Sequence, residues 1–405
     1  KKTHSPAVFA TVYVMATFRL GAIASIATRI PHQNVAKLQR INLVRRMATG
    51  AAPKKPTSTL GLAVKGMAIG ALVGTGWSGY SYFKGGPTDH MLHEHVGPKV
   101  LDKLPDVKIM RKVVNPNDDS GLDLVLFQFQ TCPFCCKVRA FLDHSGLSYS
   151  VVEVDAVLRQ DIRWSDSKKV PILLAKTKSG KYVQLTDSSM IVSSISSFLR
   201  DKKQDIGELA KYYPSISYEN DAGRKVFDIM NKYFLMYQEK KVDNRTKEEQ
   251  EEERKWRAWA DDHLVHLISP NVYRTKDEAM ETFEWFSDVG EWGIHFPKWE
   301  RDLMVYVGAF AMWGISKRLK RRHQLSDDVR SHIYDACDRW ISEIEKKKTT
   351  FHGGSQPNLA DLAVFGVLNS MEGCQAFKDC LENTKIGPWF YAVKERVLKN
   401  RGNVL

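Results

Sequence analysis

Leu124-Val125-Leu126-Phe127-Gln128-Phe129 is a run of apolar residues broken by one glutamine, with turn-forming residues ahead of it. A short continuous run of this kind reads as a core strand of a mostly parallel sheet, covered on both faces. It leads into Thr131-Cys132-Pro133-Phe134-Cys135-Cys136-Lys137, where Pro133 suits the first turn of a helix because its missing N–H would have no partner there. Val138, Phe141 and Leu142 keep an apolar stripe along that helix, Gly146 ends it, and residues 149–154 supply a second strand. This is a strand–helix–strand unit. Residues 168–174 form a strand entered through Pro171, which is best explained as a cis turn that directs the Val170 backbone towards the thiol helix. Lys178-Ser179-Gly180 is a hairpin turn, residues 182–185 return antiparallel, and Asp187-Ser188-Ser189 opens a helix with Ile191, Ile195 and Phe198 on one face. Upstream, residues 107–114 are a candidate strand, ended by the turn cluster 115–121 and placed to pair with the edge of the sheet that begins at Leu122.

Beyond residue 202 strand periodicity gives way to helical stripes, among them Tyr233 and Tyr237, then Trp256, Trp259, His263, His266 and Leu267. An all-helical second domain is expected. Within it, the mixed charges of residues 238–254 read as a solvated helix or loop without chemistry. Asn358-Leu359-Ala360-Asp361 reads as a capping box ahead of an apolar run. The apolar, small residues 306–315 followed by the basic run 317–323 read as a buried helix with a polar end.

The chemistry concentrates at the cysteines. Cys132 falls at or near a helix N-cap, where the dipole and unpaired N–H groups favour a thiolate over the free value of about 8.5. Cys135, three residues on and inside the helix, has the place of a resolving thiol. A zinc site would need two further ligands at metal spacing, and Cys337, Cys374 and Cys380 form no second Cys-x-x-Cys, so no metal is expected. The Asp187-Ser188 helix start offers backbone N–H groups and short oxygen side chains to an anion, a role compatible with simple capping.

Charge changes the picture at the other end of the chain. The net charge of +13 invites a nucleic-acid reading, yet residues 1–88 hold 12 of the 60 Lys and Arg and no acid, leaving 48 basic against 47 acidic residues in the rest. The excess belongs to a basic leader, residues 1–58, and not to a nucleic-acid-binding face. Residues 59–83 form an apolar, Gly-rich stretch in which 66–83 is an uncharged run of 18, near the lower limit for a bilayer span. Trp77, Tyr80 and Tyr82 suit an interfacial belt, and Gly66, Gly70 and Gly74 share one helical face. We expect a single membrane helix there. His90, His93 and His95 follow it as a juxtamembrane helix end. The expected domains are the leader, the anchor 59–83, a connector with an edge strand at 84–121, an α/β domain at 122–200 and a helical domain at 201–405.

The order strand, Cys-Pro-Phe-Cys helix, strand, helix, Val170-Pro171 strand, hairpin strand and Asp187-Ser188 helix resembles the thioredoxin-like fold in its glutaredoxin and glutathione-transferase form. The resemblance narrows on Thr131-Cys132-Pro133-Phe134-Cys135 with Lys137-Val138-Arg139-Ala140-Phe141-Leu142, and on Lys168-Lys169-Val170-Pro171-Ile172-Leu173. It continues through Trp259-Ala260-Asp261-Asp262, Leu264-Val265-His266-Leu267-Ile268-Ser269-Pro270-Asn271-Val272-Tyr273-Arg274 and Pro357-Asn358-Leu359-Ala360-Asp361-Leu362-Ala363-Val364. Over residues 122–396 these motifs resemble the membrane-associated type 2 prostaglandin E synthase family.

That resemblance implies an isomerase that converts prostaglandin H2 to prostaglandin E2 with the Cys132 thiolate. It implies a glutathione site in which the Val170-Pro171 backbone meets the cysteinyl part and Asp187 and Ser188 hold the γ-glutamyl end. His266 and Arg318 are the candidates for a cleft that takes haem or substrate. A homodimer and a single-pass membrane location, endomembrane or mitochondrial, with a catalytic part able to stand in solution, are further expectations. A glutaredoxin-like thiol–disulfide oxidoreductase using Cys132 and Cys135, and a haem- and glutathione-binding module, remain as alternatives. Two positions depart from the family pattern: Phe129 stands where a tyrosine is common near the thiol, and Cys136 where a serine is usual.

Overall fold

Strand pairing around the apolar run sets the architecture. The computed structural model describes residues 97–155, 159–219, 225–237 and 245–405. The leader, the anchor and His90, His93 and His95 lie outside the described residues. Among the described residues no helix is long and apolar enough to cross a membrane.

In chain order the first half holds β1 (Val100–Leu101), β2 (Arg111–Val114), β3 (Leu124–Gln128), α1 (Pro133–His144), β4 (Tyr149–Glu153), β5 (Ile172–Lys176), β6 (Tyr182–Thr186) and α2 (Ser188–Arg200). Every residue of β3 is buried, as the unbroken apolar run requires of a central strand. It pairs parallel with β4 and antiparallel with β5. One sheet layer packs Val125, Phe127, Val152, Ile172 and Leu174 into a shared cluster, with Trp164 set edge-on to Phe127 at 5.2 Å. The mixed parallel and antiparallel sheet with α1 and α2 against it is the thioredoxin-like arrangement.

The connector is more deeply involved than a single edge strand. β2 pairs with β4, on the far side from β5, and so joins the edge of the sheet as expected. β1 closes the opposite edge against β6. A two-residue strand near the end of the chain, β9 (Asn403–Val404), adds to β2 and makes the order β1-β6-β5-β3-β4-β2-β9.

The second half contains α3 (Ile206–Ala210), β7 (Ser215–Glu219), β8 (Lys225–Ile229), α4 (Lys247–Trp259), α5 (Val265–Val272), α6 (Lys276–Val289) and α7 (Trp292–His295). It continues with α8 (Lys298–Arg322), α9 (Val329–Lys347), α10 (Leu359–Asn369), α11 (Gln375–Asn383) and α12 (Ile386–Asn400). It is not all-helical, since β7 and β8 form an antiparallel hairpin of their own. The short alternation Ser215-Ile216-Ser217-Tyr218 is the period-two signal for it, easily lost between longer helical stripes. A single π turn, Ala260–Leu264, joins α4 to α5.

Two further readings are corrected, the first only in part. The charge run at 238–254, of which only 245–254 lie within the described residues, is largely a solvated helix as expected, but Glu253 within it is 3 % exposed, pairs with Arg245 at 2.8 Å and accepts the Leu359 amide at 3.2 Å, so it helps to cap α10. Tyr306 and Phe310 on α8 are 62 % and 63 % exposed, so the basic run does not end a buried helix. The capping box at Asn358 and Asp361 is present as the spacing predicts.

The two halves meet along α1 and α10. A Cβ at Gly366 would lie 2.4 Å from the Lys137 Cα, so only glycine allows this approach of two helix backbones.

Candidate active site

Ladder register brings the predicted residues to one end of the sheet. Phe127 pairs with Ile172, so Val170 lies beyond the ladder beside the end of β3, from which the chain runs to Cys132. Ile172 also pairs with Thr186, which sets Asp187 beside Pro171. The N-termini of α1 and α2 therefore open at the same edge. The Val170–Pro171 peptide is cis, as expected.

Cys132 is the N-cap of α1: its backbone is extended, and its carbonyl accepts the first helical bond from the Cys136 amide at 2.8 Å. Its sulfur makes no capping hydrogen bond to the first turn, but it stands close to the Cys135 thiol, the first-turn amides and the charge of Arg139. These outweigh burial, with the Cys135 bond the largest contribution, and lower the Cys132 pKa. Cys135 goes the opposite way. Burial first, and then its bond to Cys132, push its thiol well above the ordinary value. The two thiols of the Cys-x-x-Cys pair are therefore shifted in opposite directions.

Cys136 faces elsewhere. Arg139 Nη2 lies 3.2 Å from its sulfur and 2.7 Å from Gln130 O, tying the β3–α1 loop to the helix. Burial nevertheless pushes the Cys136 thiol up. Phe129, at the family's tyrosine position, brings no phenol to the thiol and packs against the sheet cluster.

On the α2 side, Asp187 has φ 72° and its side chain accepts from the Ser189 and Met190 amides at 2.8 and 3.2 Å. Ser188 is buried beside it. Behind this turn runs a polar network that the sequence motifs did not single out as chemistry. Lys137 Nζ donates to Asp261 Oδ1 at 2.5 Å and to Ser189 Oγ at 2.9 Å, while Ser189 Oγ and Tyr233 Oη donate to Asp261 Oδ2 at 2.6 and 3.0 Å. Arg257, 1 % exposed, donates to Ser189 O, Ser193 Oγ and Tyr233 O. The π turn rotates Asp261 into this network, and an extra residue per turn of this kind is a frequent device at functional sites.

The other cleft candidates lie on α5 and α8. His266 stacks on His323 with ring centroids 4.6 Å apart. Burial, then the neighbouring His323 and His263, push its pKa down to about 4, so it is a neutral imidazole. Its Nδ1 is buried without a hydrogen-bond partner. Arg318 is exposed on α8. The ring against His266 belongs to His323, five residues further along the chain than Arg318. Among the described residues no group of His, Cys, Asp and Glu stands together as a metal site.

Comparison with known proteins agrees with this assembly. A glutaredoxin family model matches residues 124–179. A Danio rerio protein named prostaglandin E synthase 2 is 48 % identical over 274 residues, 67 % of this chain and 70 % of its own. A Mus musculus protein of the same name is 39 % identical over 389 residues, 95 % of this chain and 94 % of its own. The chain belongs to the prostaglandin E synthase 2 family. Membership makes it an enzyme of prostaglandin synthesis. Among solved structures, the chain is similar to the beta-etherase LigF from Sphingobium sp. strain SYK-6, at 15 % identity and TM-score 0.39, over 68 % of this chain and 97 % of that one. It is also similar to the rice glutathione transferase GST1 in complex with glutathione, at 14 % identity and TM-score 0.36, over 68 % and 86 % of the two chains.

Proposed function

We propose that this enzyme isomerises prostaglandin H2 to prostaglandin E2 with the Cys132 thiolate, in a site that binds glutathione. The observation that carries the reading is the place of Cys132 at the α1 N-cap, three residues before Cys135, where the neighbouring Cys135 thiol and the first-turn amides lower its pKa. The thiolate attacks the endoperoxide oxygen on the carbon that becomes the ketone, forming an S–O bond as the O–O bond breaks. The other oxygen leaves with the electron pair and takes a proton to become a hydroxyl. Loss of the proton on the ring carbon then forms the C=O bond, breaks the S–O bond and returns the thiolate. Substrate and product are isomers, so no oxidant or reductant is consumed.

Val170 and Asp187 support the glutathione part. The Val170 peptide, outside the β5 ladder, offers an extended edge to the cysteinyl backbone of a tripeptide. The α2 start, with Asp187 and Ser188, suits its charged glutamyl end. The apolar stretch at residues 59–83 supports attachment to a membrane, which resistance of the full chain to alkaline carbonate extraction would test.

The test is product analysis with purified protein, with and without glutathione. Cys132→Ser should lower prostaglandin E2 formation by at least about 100-fold, whereas Cys135→Ser should retain most of it. Full activity in Cys132→Ser sinks the mechanism. The Cys132–Cys135 contact also favours a second reading, thiol–disulfide exchange with glutathione mixed disulfides. Efficient reduction of such a disulfide without conversion of the endoperoxide would favour that reading over the isomerase.

A further inference from the structure

The segment that leaves the hairpin β7–β8 carries Lys232 against the N-terminal turns of α2. The Lys232 carbonyl and that of Tyr233 are held along the first two turns of that helix. Ser193 Oγ donates to Lys232 O at 2.6 Å, and Arg257 bridges Tyr233 O at 2.9 Å and Ser189 O at 3.1 Å. Asn231, with φ 61°, turns the chain there, and its side-chain amide donates to Tyr212 O at 2.9 Å. The backbone of Lys232 and Tyr233 is thus held at both ends against the Ser189–Ser193 face of α2.

The two side chains have different tasks. The Tyr233 hydroxyl is engaged by the buried Asp261 carboxylate. Lys232 Nζ donates to Asp228 Oδ1 at 2.8 Å and keeps 20 % of its side chain exposed. Burial works against its charge, but the Asp187 carboxylate, and then Asp228, raise its pKa and hold it protonated. This ammonium lies within the field of the N-cap that opens the candidate glutathione site.

The glutamyl end of glutathione is a zwitterion, with an α-ammonium and an α-carboxylate on one carbon. Asp187 supplies a carboxylate for the ammonium. The first-turn amides of α2 supply partial positive charge for the carboxylate, and a full charge beside them makes a much stronger donor. We propose that Lys232 binds the glutamyl α-carboxylate of glutathione, so that the hairpin completes a subsite which the thioredoxin-like half leaves half built. This rests on the glutathione site proposed above and names a residue for it.

Calorimetric titration with glutathione and with γ-aminobutyryl-cysteinylglycine, which lacks only that carboxylate, tests the assignment. The unaltered enzyme should prefer glutathione by about 10- to 100-fold, the range expected for one charge-assisted hydrogen bond. Lys232→Met should bind the two peptides alike, and Lys232→Arg, which keeps the charge and the pairing with Asp228, should recover most of the preference. A Lys232→Met variant that keeps the full preference overturns the role of Lys232 while leaving the glutathione site standing. Failure of the unaltered enzyme to bind either peptide overturns the glutathione site and this assignment with it.

Discussion

Lys137 Nζ and Asp261 Oδ1 stand 2.5 Å apart across the seam between the two halves, with side chains only 3 % and 13 % exposed. The lysine follows Cys132 by five residues on the helix that Cys132 caps, and the aspartate sits on the π turn. The pair therefore couples the orientation of the thiol helix to the helical half.

Removing one partner of such a pair strands the other charge in the interior. Lys137→Met should cost about 3–5 kcal/mol at neutral pH, and adding Asp261→Asn should return part of it. Burial raises the Asp261 pKa, but the charge and hydrogen bond of Lys137, with Ser189 and Lys232, more than reverse this. A depressed folded-state pKa stabilises above the ordinary carboxylate range and ceases to do so as pH falls through the folded value. Urea midpoints of the two proteins should accordingly differ most at pH 7 and converge below about pH 4.

The thiols should separate by reactivity. Iodoacetamide should alkylate Cys132 with a half-point below the ordinary thiol value of about 8.5, and leave Cys135 and Cys136 unmodified in the folded protein. Cys135→Ala removes the largest contribution to the low Cys132 pKa, so its alkylation profile should move to higher pH. An unmoved profile would show that the amides and Arg139 suffice.

Asp143 offers the opposite sign. It is buried at the end of α1 and accepts from the Tyr149 hydroxyl at 2.7 Å. Burial raises its pKa to about 6. A raised folded-state pKa favours folding at low pH, and that contribution is lost as pH rises through about 6. Asp143→Asn should therefore be more stable than the unaltered protein at pH 8, by on the order of 2 kcal/mol, and no more stable at pH 4. Thermal unfolding at the two pH values reads this directly.

Gly366→Ala tests the close approach of α10 to α1. The added methyl meets Lys137 Cα at 2.4 Å, and backbone rather than a flexible side chain must yield. A loss of about 1–3 kcal/mol in denaturant titration is expected. If the loss disturbs the Lys137–Asp261 pair, Cys132 alkylation should change with it.

Most of the thiol-bearing half was legible because its signals are local. Pro133 marks the first turn, Pro171 the break ahead of β5, Asp187 the N-cap, and an unbroken apolar run the central strand. Asp261, Arg257 and Lys232 gave no such signal. Each is an ordinary charged residue in a polar stretch, and only the fold brings all three to α2. Tyr306 and Phe310 show the converse, since apolar character along a helix does not say which residues find a neighbour. Strands as short as β1 and β9 are specified almost entirely by their partners, so no periodicity could announce them.

Asn115 Nδ2 donates to Asn400 O across 285 positions of chain, next to the pairing of β2 with β9. During synthesis the ribosome makes β2 early and the strand that covers it late. At about 5–20 residues per second, the nascent sheet waits roughly 15–60 s with that edge uncovered. An uncovered strand edge is a template for pairing with another chain. The interval is one in which a chaperone has something to shield, and in which crowded polysomes would favour the wrong partner.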